Sequence, residues 1–261
     1  KDGRIATLGE DLDGNDIINA DKKLVMPGGI EAHCHIAQES ANGIMTSDDY
    51  ETGSISAAFG GNSCFVPFAA QKKGESIAST IAEYDRRAET KSVIDYSYHL
   101  ILTDPNENVM NELPSAFERG ITSFKVFMTY ATRVSDAQFL DILTIARRHG
   151  GLTMVHAENH DMLSWMSNAL TQAGYTEPRY HAPARPSLAE EEAINRAISL
   201  SKLANAPLMI VHVSTPKGAE LVARARMDGA FVFGETCPQY LFLTRDDIDR
   251  PNLEGAKYIC S

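Results

Sequence analysis

Seven short apolar runs, each separated from the next by a stretch of helical periodicity, constrain this chain more than any other feature. They fall at 29–36, 63–69, 96–102, 123–128, 152–156, 208–213 and 231–234. The runs are nearly continuous in apolar residues rather than alternating, as strands buried on both faces are. Helical patterns lie between them, at 77–88, 107–119, 160–173 and 218–227, and one begins at Ser47 with Asp48 and Asp49 in its first turn. Two more open on capping-box patterns, Ser135-Asp136-Ala137-Gln138 and Ser187-Leu188-Ala189-Glu190. The first of these closes at Arg147-Arg148-His149-Gly150, with basic residues in the last turn and glycine beyond. Strand–helix alternation of this kind predicts an α/β fold with a parallel sheet under helices, and seven strands in this length favour a (β/α)8 TIM-type barrel. An open doubly wound sheet with a nucleotide would carry GxGxxG or GxxxxGK[ST], and neither occurs.

Residues 1–25 break the rhythm. Ile5, Leu8, Ile17 and Ile18 are scattered among Gly and Asp, which predicts part of a small β-strand unit, too short to fold alone. The expected organisation is therefore that partial unit at 1–25 and a barrel at 26–261, the part that would carry any chemistry. The chain starts at Lys1 and stops at Ser261 directly after an apolar run, so it reads as cut at both ends, the barrel truncated before its eighth strand.

Composition narrows the partners. With 261 residues, 43% of them hydrophobic, the chain can bury a large core. A net charge of -11 with no Lys/Arg-rich run argues against nucleic acid and anionic membrane surfaces. No apolar run approaches the roughly 20 residues of a membrane span, and no secretory pattern opens the chain. Cys34, Cys64, Cys237 and Cys260 lie in apolar surroundings without CxxC spacing, which suits buried thiols in the cytoplasm.

In a barrel of this kind the chemistry gathers at the C-terminal ends of the strands. His33 and His35 fall at the end of the first run, two residues apart and so on one face, with Cys34 opposite. Lys125 lies within the fourth run, His156 ends the fifth, and His212 the sixth. One histidine at a strand end is most often a hydrogen-bonded core residue, and a lysine can snorkel to water. Four histidines from three strands at one barrel end point instead to metal. A buried, neutral lysine can react with carbon dioxide, and the resulting carbamate has two oxygens with which to bridge two ions. Other patterns carry less. His156-Ala157-Glu158-Asn159-His160 has its Glu one place late for HExxH, and Gly61-Asn62-Ser63-Cys64-Phe65 lacks the closing Gly of a nucleophile elbow. His99, inside an apolar strand, reads as core, His149 as a helix end and His181 as loop.

Taken in order, these residues resemble the dihydropyrimidinase (D-hydantoinase) family of cyclic amidohydrolases. Pro27-Gly28-Gly29-Ile30-Glu31-Ala32-His33-Cys34-His35 is similar to its first-strand motif, and Ser123-Phe124-Lys125-Val126-Phe127-Met128-Thr129-Tyr130 resembles its carboxylated-lysine strand. Val155-His156-Ala157-Glu158-Asn159, His212-Val213-Ser214 and Gly234-Glu235-Thr236-Cys237-Pro238-Gln239-Tyr240-Leu241 follow. The resemblance implies two Zn2+ ions per subunit. His33 and His35 would hold one, His156 and His212 the other, and the carboxylated Lys125 would bridge them. It also implies an oxyanion-binding role for Tyr130, which is otherwise a wall aromatic, and substrate contact by Tyr130 and Ser261.

The implied reaction is hydrolysis of a dihydropyrimidine or 5-substituted hydantoin to an N-carbamoyl amino acid by a homotetramer. The family's metal-bound aspartate follows an eighth strand and is not among these residues. Dihydroorotases and allantoinases usually place Arg or Asn about three residues past the histidine pair. Here the run is Ile36-Ala37-Gln38-Glu39, which favours a neutral cyclic diamide. Dihydroorotate or allantoin hydrolysis, or a non-catalytic scaffold role, are the alternatives.

Overall fold

The structure, a computed structural model, describes residues 4–10, 12–40 and 43–260. Its frame is one parallel sheet. The strands are β1 Gly29–Cys34, β2 Asn62–Ala70, β3 Asp95–Tyr96, β4 His99–Ile101, β5 Ser123–Phe127, β6 Leu152–His156, β7 Leu208–Ile210 and β8 Val232–Gly234. They lie in the order β1-β2-β4-β5-β6-β7-β8, with the two-residue β3 also on β2. Apart from β3, each strand pairs with the next along the chain, the usual neighbour relation of strands joined by crossover helices. The result is an α/β half-barrel with β1 and β8 at its open edges. The run expected at 96–102 is split at Ser97-Tyr98 into β3 and β4, both carried by β2.

Glycine brings the first strand close. A Cβ on Gly28 would stand 2.4 Å from the Ser63 hydroxyl, and one on Gly29 2.5 Å from the Asn62 amide oxygen. The Gly29 N–H donates to the Gly61 carbonyl at 2.9 Å and so starts the β1–β2 ladder. Pro27-Gly28-Gly29 therefore serves backbone approach as much as turning.

The sheet separates two packing layers. Leu100, Phe124, Val126, Val155, Leu208 and Ile210 face the helices and belong to the large core cluster. Phe68, Ile101, Met154 and Val211 form a second, much smaller cluster on the other face. Register places Ile101 and Met154 on either side of Lys125, and Phe127 beside His156. Lys125 thus points inward among apolar side chains, on the face opposite Phe124 and Val126.

Helix starts follow side-chain caps. Helix α1, Tyr50–Phe59, begins three residues later than Ser47, because Asp49 is its cap. Asp49 accepts from the N–H groups of Glu51 and Thr52, a contribution of about 1 kcal/mol. Helix α4, Asp136–Arg148, has the expected Ser135/Gln138 box. Helix α7, Ser187–Ala204, does not form its expected box: Pro186 is the cap residue, without a side-chain bond. Glu190 turns elsewhere, accepting from the N–H and hydroxyl of Ser214 at 2.8 and 3.0 Å. Buried as it is, this carboxylate serves the loop after β7.

Residues 4–10 and 12–28 contain no strand, and Ile5, Leu8, Ile17 and Ile18 are exposed there. The small β unit expected at 1–25 forms no ladder among these described residues. Among the described residues no helix is long and apolar enough to cross a membrane.

Candidate metal centre

The five residues singled out as ligands come together at the C-terminal ends of the strands. β1 ends at Cys34, so His35 lies just outside it, yet the two imidazoles stay on one side. Their centroids are 5.5 Å apart and each is 4.7 Å from the Phe68 ring. Cys34 packs against the helix-side core, and burial pushes its thiol up to about 12, which leaves it inert. β7 ends at Ile210, two residues before His212, which turns out of the sheet with φ 41°. His212 reaches the site from this left-handed turn rather than from strand geometry.

Lys125 is the centre of the cluster. It is 2% exposed, its Nζ lies 3.3 Å from His33 Nε2, and the Phe68 and Phe127 rings flank it at 4.2 and 5.3 Å. Burial pulls its amine down from the ordinary 10.5 to about 8, against the pull of the nearby Glu235 carboxylate. Charge on Lys125 is felt by three of the histidines. His35 keeps an exposed edge, yet desolvation first and Lys125 next lower it to about 4. Burial, then His156 and Lys125, lower His212 to about 2, and burial also lowers His156. All three are neutral imidazoles at neutral pH, the form that ligates metal.

Three of the four histidines have one ring nitrogen tied to an oxygen acceptor. His33 Nδ1 donates to Glu235 Oε1, His35 Nδ1 to Gln38 Oε1 at 2.7 Å, and His156 Nε2 to Glu158 Oε2 at 2.6 Å. A neutral imidazole that donates through one nitrogen keeps a lone pair on the other. His33 therefore presents Nε2 to Lys125, and His156 presents Nδ1 to His212 Nε2, 3.1 Å away. Oriented lone pairs backed by outer acceptors are the arrangement that metal-binding histidines need. Among the described residues no three His, Cys, Asp or Glu side chains already form a metal cage. The donor set becomes sufficient only if the lysine supplies oxygens. A lysine carbamate would add two oxygen donors to the four imidazoles, a donor chemistry that fits a divalent metal ion.

Sequence reasoning missed three residues around this cluster. Glu235, just past β8, orients His33 and also approaches the His212 N–H at 3.4 Å. Burial opposes its charge, but the His33 contact prevails and lowers its pKa. Glu158 is likewise lowered, His156 and Arg185 outweighing burial. Arg185, between helix α6, His181–Ala184, and α7, pairs with Glu158 and donates to the Tyr130 hydroxyl at 3.2 Å. Glu158 was visible only as a failed HExxH, Glu235 only as a motif letter.

Tyr130 lies 5.1 Å, ring to ring, from His156, its backbone left-handed at φ 68°. A non-glycine residue held there costs about 1–3 kcal/mol. Beside it a cavity of about 350 Å³ is lined by His156, His181, Arg185, Glu190, His212 and Tyr240, among others. His181, expected in a loop, opens the short α6. His99 is a strut, bonded to Ser123 Oγ at 2.5 Å and to the Ala32 carbonyl at 3.0 Å. Ser261 lies outside the described residues.

No family model matches the chain. D-hydantoinase from Geobacillus stearothermophilus is 42% identical over 266 residues, spanning 100% of this chain and 56% of the relative. A crystal structure of D-hydantoinase superposes with a TM-score of 0.96 at 41% identity, over 100% of this chain and 58% of that one. Dihydropyrimidinase from Brevibacillus agri gives 0.88 at 42% identity, over 95% and 56%. The chain spans about half the length of the curated relatives it matches. Sequence identity over its whole length and the superposed frame agree: the chain belongs to the D-hydantoinase (dihydropyrimidinase) family.

Proposed function

We propose that this chain supplies most of the active centre of a metal-dependent hydrolase of cyclic amides, acting on dihydropyrimidines or 5-substituted hydantoins to give N-carbamoyl amino acids. The observation that carries the reading is Lys125, 2% exposed and 3.3 Å from His33 Nε2 within a cluster of four histidines. In this reading His33, His35, His156 and His212, together with a carboxylated Lys125, would hold two Zn2+ ions. When bound, such ions lower the pKa of water and polarise a carbonyl.

The chain's own residues do the rest. Glu235, Gln38 and Glu158 each fix a histidine ring by accepting its second N–H, so the lone pairs stay aimed inward. In this reading Tyr130 donates its hydroxyl in a hydrogen bond to the oxyanion that develops on the ring carbonyl. Such a donor is worth about 10²–10³ in kcat. Phe68 and Phe127 keep water from the lysine. Arg185 brings a cation to the site although none follows His35, but Glu158 already neutralises it. A neutral diamide therefore remains the better substrate than a carboxylated ring.

The same reading takes the half-barrel as seven strands of a (β/α)8 barrel at 26–261, with 1–25 as part of a small β unit. Ser261 would contact the substrate ring, and the working form would be a cytoplasmic homotetramer. A scaffold relative would have little reason to keep all five ligand positions. The test is side-by-side kcat/KM on dihydrouracil, 5-substituted hydantoins, allantoin and dihydroorotate, with metal analysis of the same preparation. Faster turnover of dihydroorotate, or two preparations equally active with and without metal, would overturn it.

A further inference from the structure

We infer that Arg185 is a positioning residue that holds the Tyr130 hydroxyl and the His156–Glu158 pair in one hydrogen-bonded chain, so that the tyrosine's placement depends on the histidine's. The inference rests on the reading of Tyr130 as an oxyanion donor.

The geometry is specific to a guanidinium. One terminal nitrogen of Arg185 contacts Glu158 Oε2, the other donates to Tyr130 Oη at 3.2 Å, and Glu158 in turn accepts from His156 Nε2 at 2.6 Å. Two acceptors on different elements are met at once by a planar fork, which an ammonium cannot imitate. The guanidinium carbon also lies 5.4 Å from the centre of the Tyr130 ring, so ring and hydroxyl are both engaged.

Each partner needs an outside hold. Tyr130 sits in a left-handed turn beyond β5, a conformation that surrounding contacts must over-determine to persist. His156 ends β6, and its ring can rotate unless Glu158 fixes it. Arg185 itself is well placed to be rigid. It precedes Pro186, which restricts its backbone, and its N–H donates to the Ala182 carbonyl at 3.1 Å. Its side chain is 22% exposed, enough screening to keep the charge without letting the fork wander.

The rival role is direct contact with substrate, since Arg185 also lines the cavity beside His156 and His212. The two roles separate kinetically. A positioning residue changes kcat, whereas a ground-state contact changes KM.

The experiment compares Arg185→Met and Arg185→Lys, alone and with Tyr130→Phe, in the zinc-loaded enzyme labelled with 13Cζ-tyrosine. We expect kcat to fall 10–100-fold in Arg185→Met, with KM within twofold and partial recovery on adding guanidinium. Arg185→Lys should remain at least fivefold impaired. On the Tyr130→Phe background the Arg185→Met loss should shrink below threefold. The Tyr130 resonance, assigned by its loss in Tyr130→Phe, should shift in Arg185→Met whether or not substrate is turned over. A raised KM with unchanged kcat, full additivity with Tyr130→Phe, or an unmoved Tyr130 resonance would overturn the inference. If the parent enzyme turns over none of the cyclic amides, the functional reading fails, and the resonance alone then decides the Arg185 contact.

Discussion

Replacing Lys125 with methionine should have two effects of opposite sign. The drop of its pKa from 10.5 to about 8 means that folding a protonated Lys125 costs about 3 kcal/mol, at about 1.4 kcal/mol per pH unit. Burial is the main cause and the side chain is 2% exposed, so solvent screening removes little of that figure. In metal-free protein the cost is fully present below pH 8, where folded and unfolded chains both hold the proton. Between about 8 and 10.5 the unfolded chain keeps a proton that the folded one has released, so stability rises with pH there. Lys125→Met should therefore stabilise the metal-free protein at pH 7 by up to about 3 kcal/mol and abolish the rise. The same depression multiplies the neutral amine at neutral pH by about 300, which is what carbamate formation needs. Lys125→Met should accordingly lose a carbamate signal from 13C-bicarbonate, most of its metal and all turnover. Urea unfolding from pH 6 to 10, NMR, metal analysis and an activity assay read these four arms. A variant that keeps two ions and normal turnover, or one no more stable without metal than its parent, would refute the reasoning.

Three further outcomes are expected. Glu235→Gln takes the anion from His33 and should weaken metal binding 10–100-fold by competition with a chelator, while Gln38→Ala, on the exposed edge near His35, should do less. Tyr130→Phe should lower kcat about 10²–10³-fold with metal content unchanged, and a loss confined to KM would remove the tyrosine from the oxyanion. A polypeptide limited to these 261 residues should self-associate, because Ile17, Ile18, Leu24, Val25 and Phe242 are more than 80% exposed and the sheet is open at β1 and β8. Light scattering showing a stable monomer at high protein concentration would contradict this.

Much of the frame is legible because parallel strands are buried on both faces, which leaves unbroken apolar runs such as Leu208-Met209-Ile210-Val211. The positions of His33, Lys125 and His156 follow from strand periodicity alone. What escapes is whatever depends on a partner far along the chain. Glu235 meets His33 across 202 residues, and Arg185 reaches Tyr130 across 55. No local pattern announces either. Ser187-Leu188-Ala189-Glu190 misleads for a related reason: Ser214 offers Glu190 two donors inside the fold, and a distant bond displaces a local cap. The break at Ser97-Tyr98 is invisible because Tyr98, a buried aromatic, continues the strand-like run across it. His212 closes an apolar run and so looks like a strand end, whereas its imidazole arrives through a left-handed turn that no glycine announces.

The unequal sizes of the two packing layers bear on how such a scaffold can change over generations. Most of the buried apolar side chains lie between sheet and helices, and only Phe68, Ile101, Met154 and Val211 make up the cluster on the reactive face. A substitution beside the lysine thus disturbs few of the contacts that hold the chain folded. Selection can try new side chains on that face while the fold persists, whereas the helix-facing side tolerates far less experiment. Divergence in substrate is expected to accumulate on the concave side, and sequence constancy on the convex one.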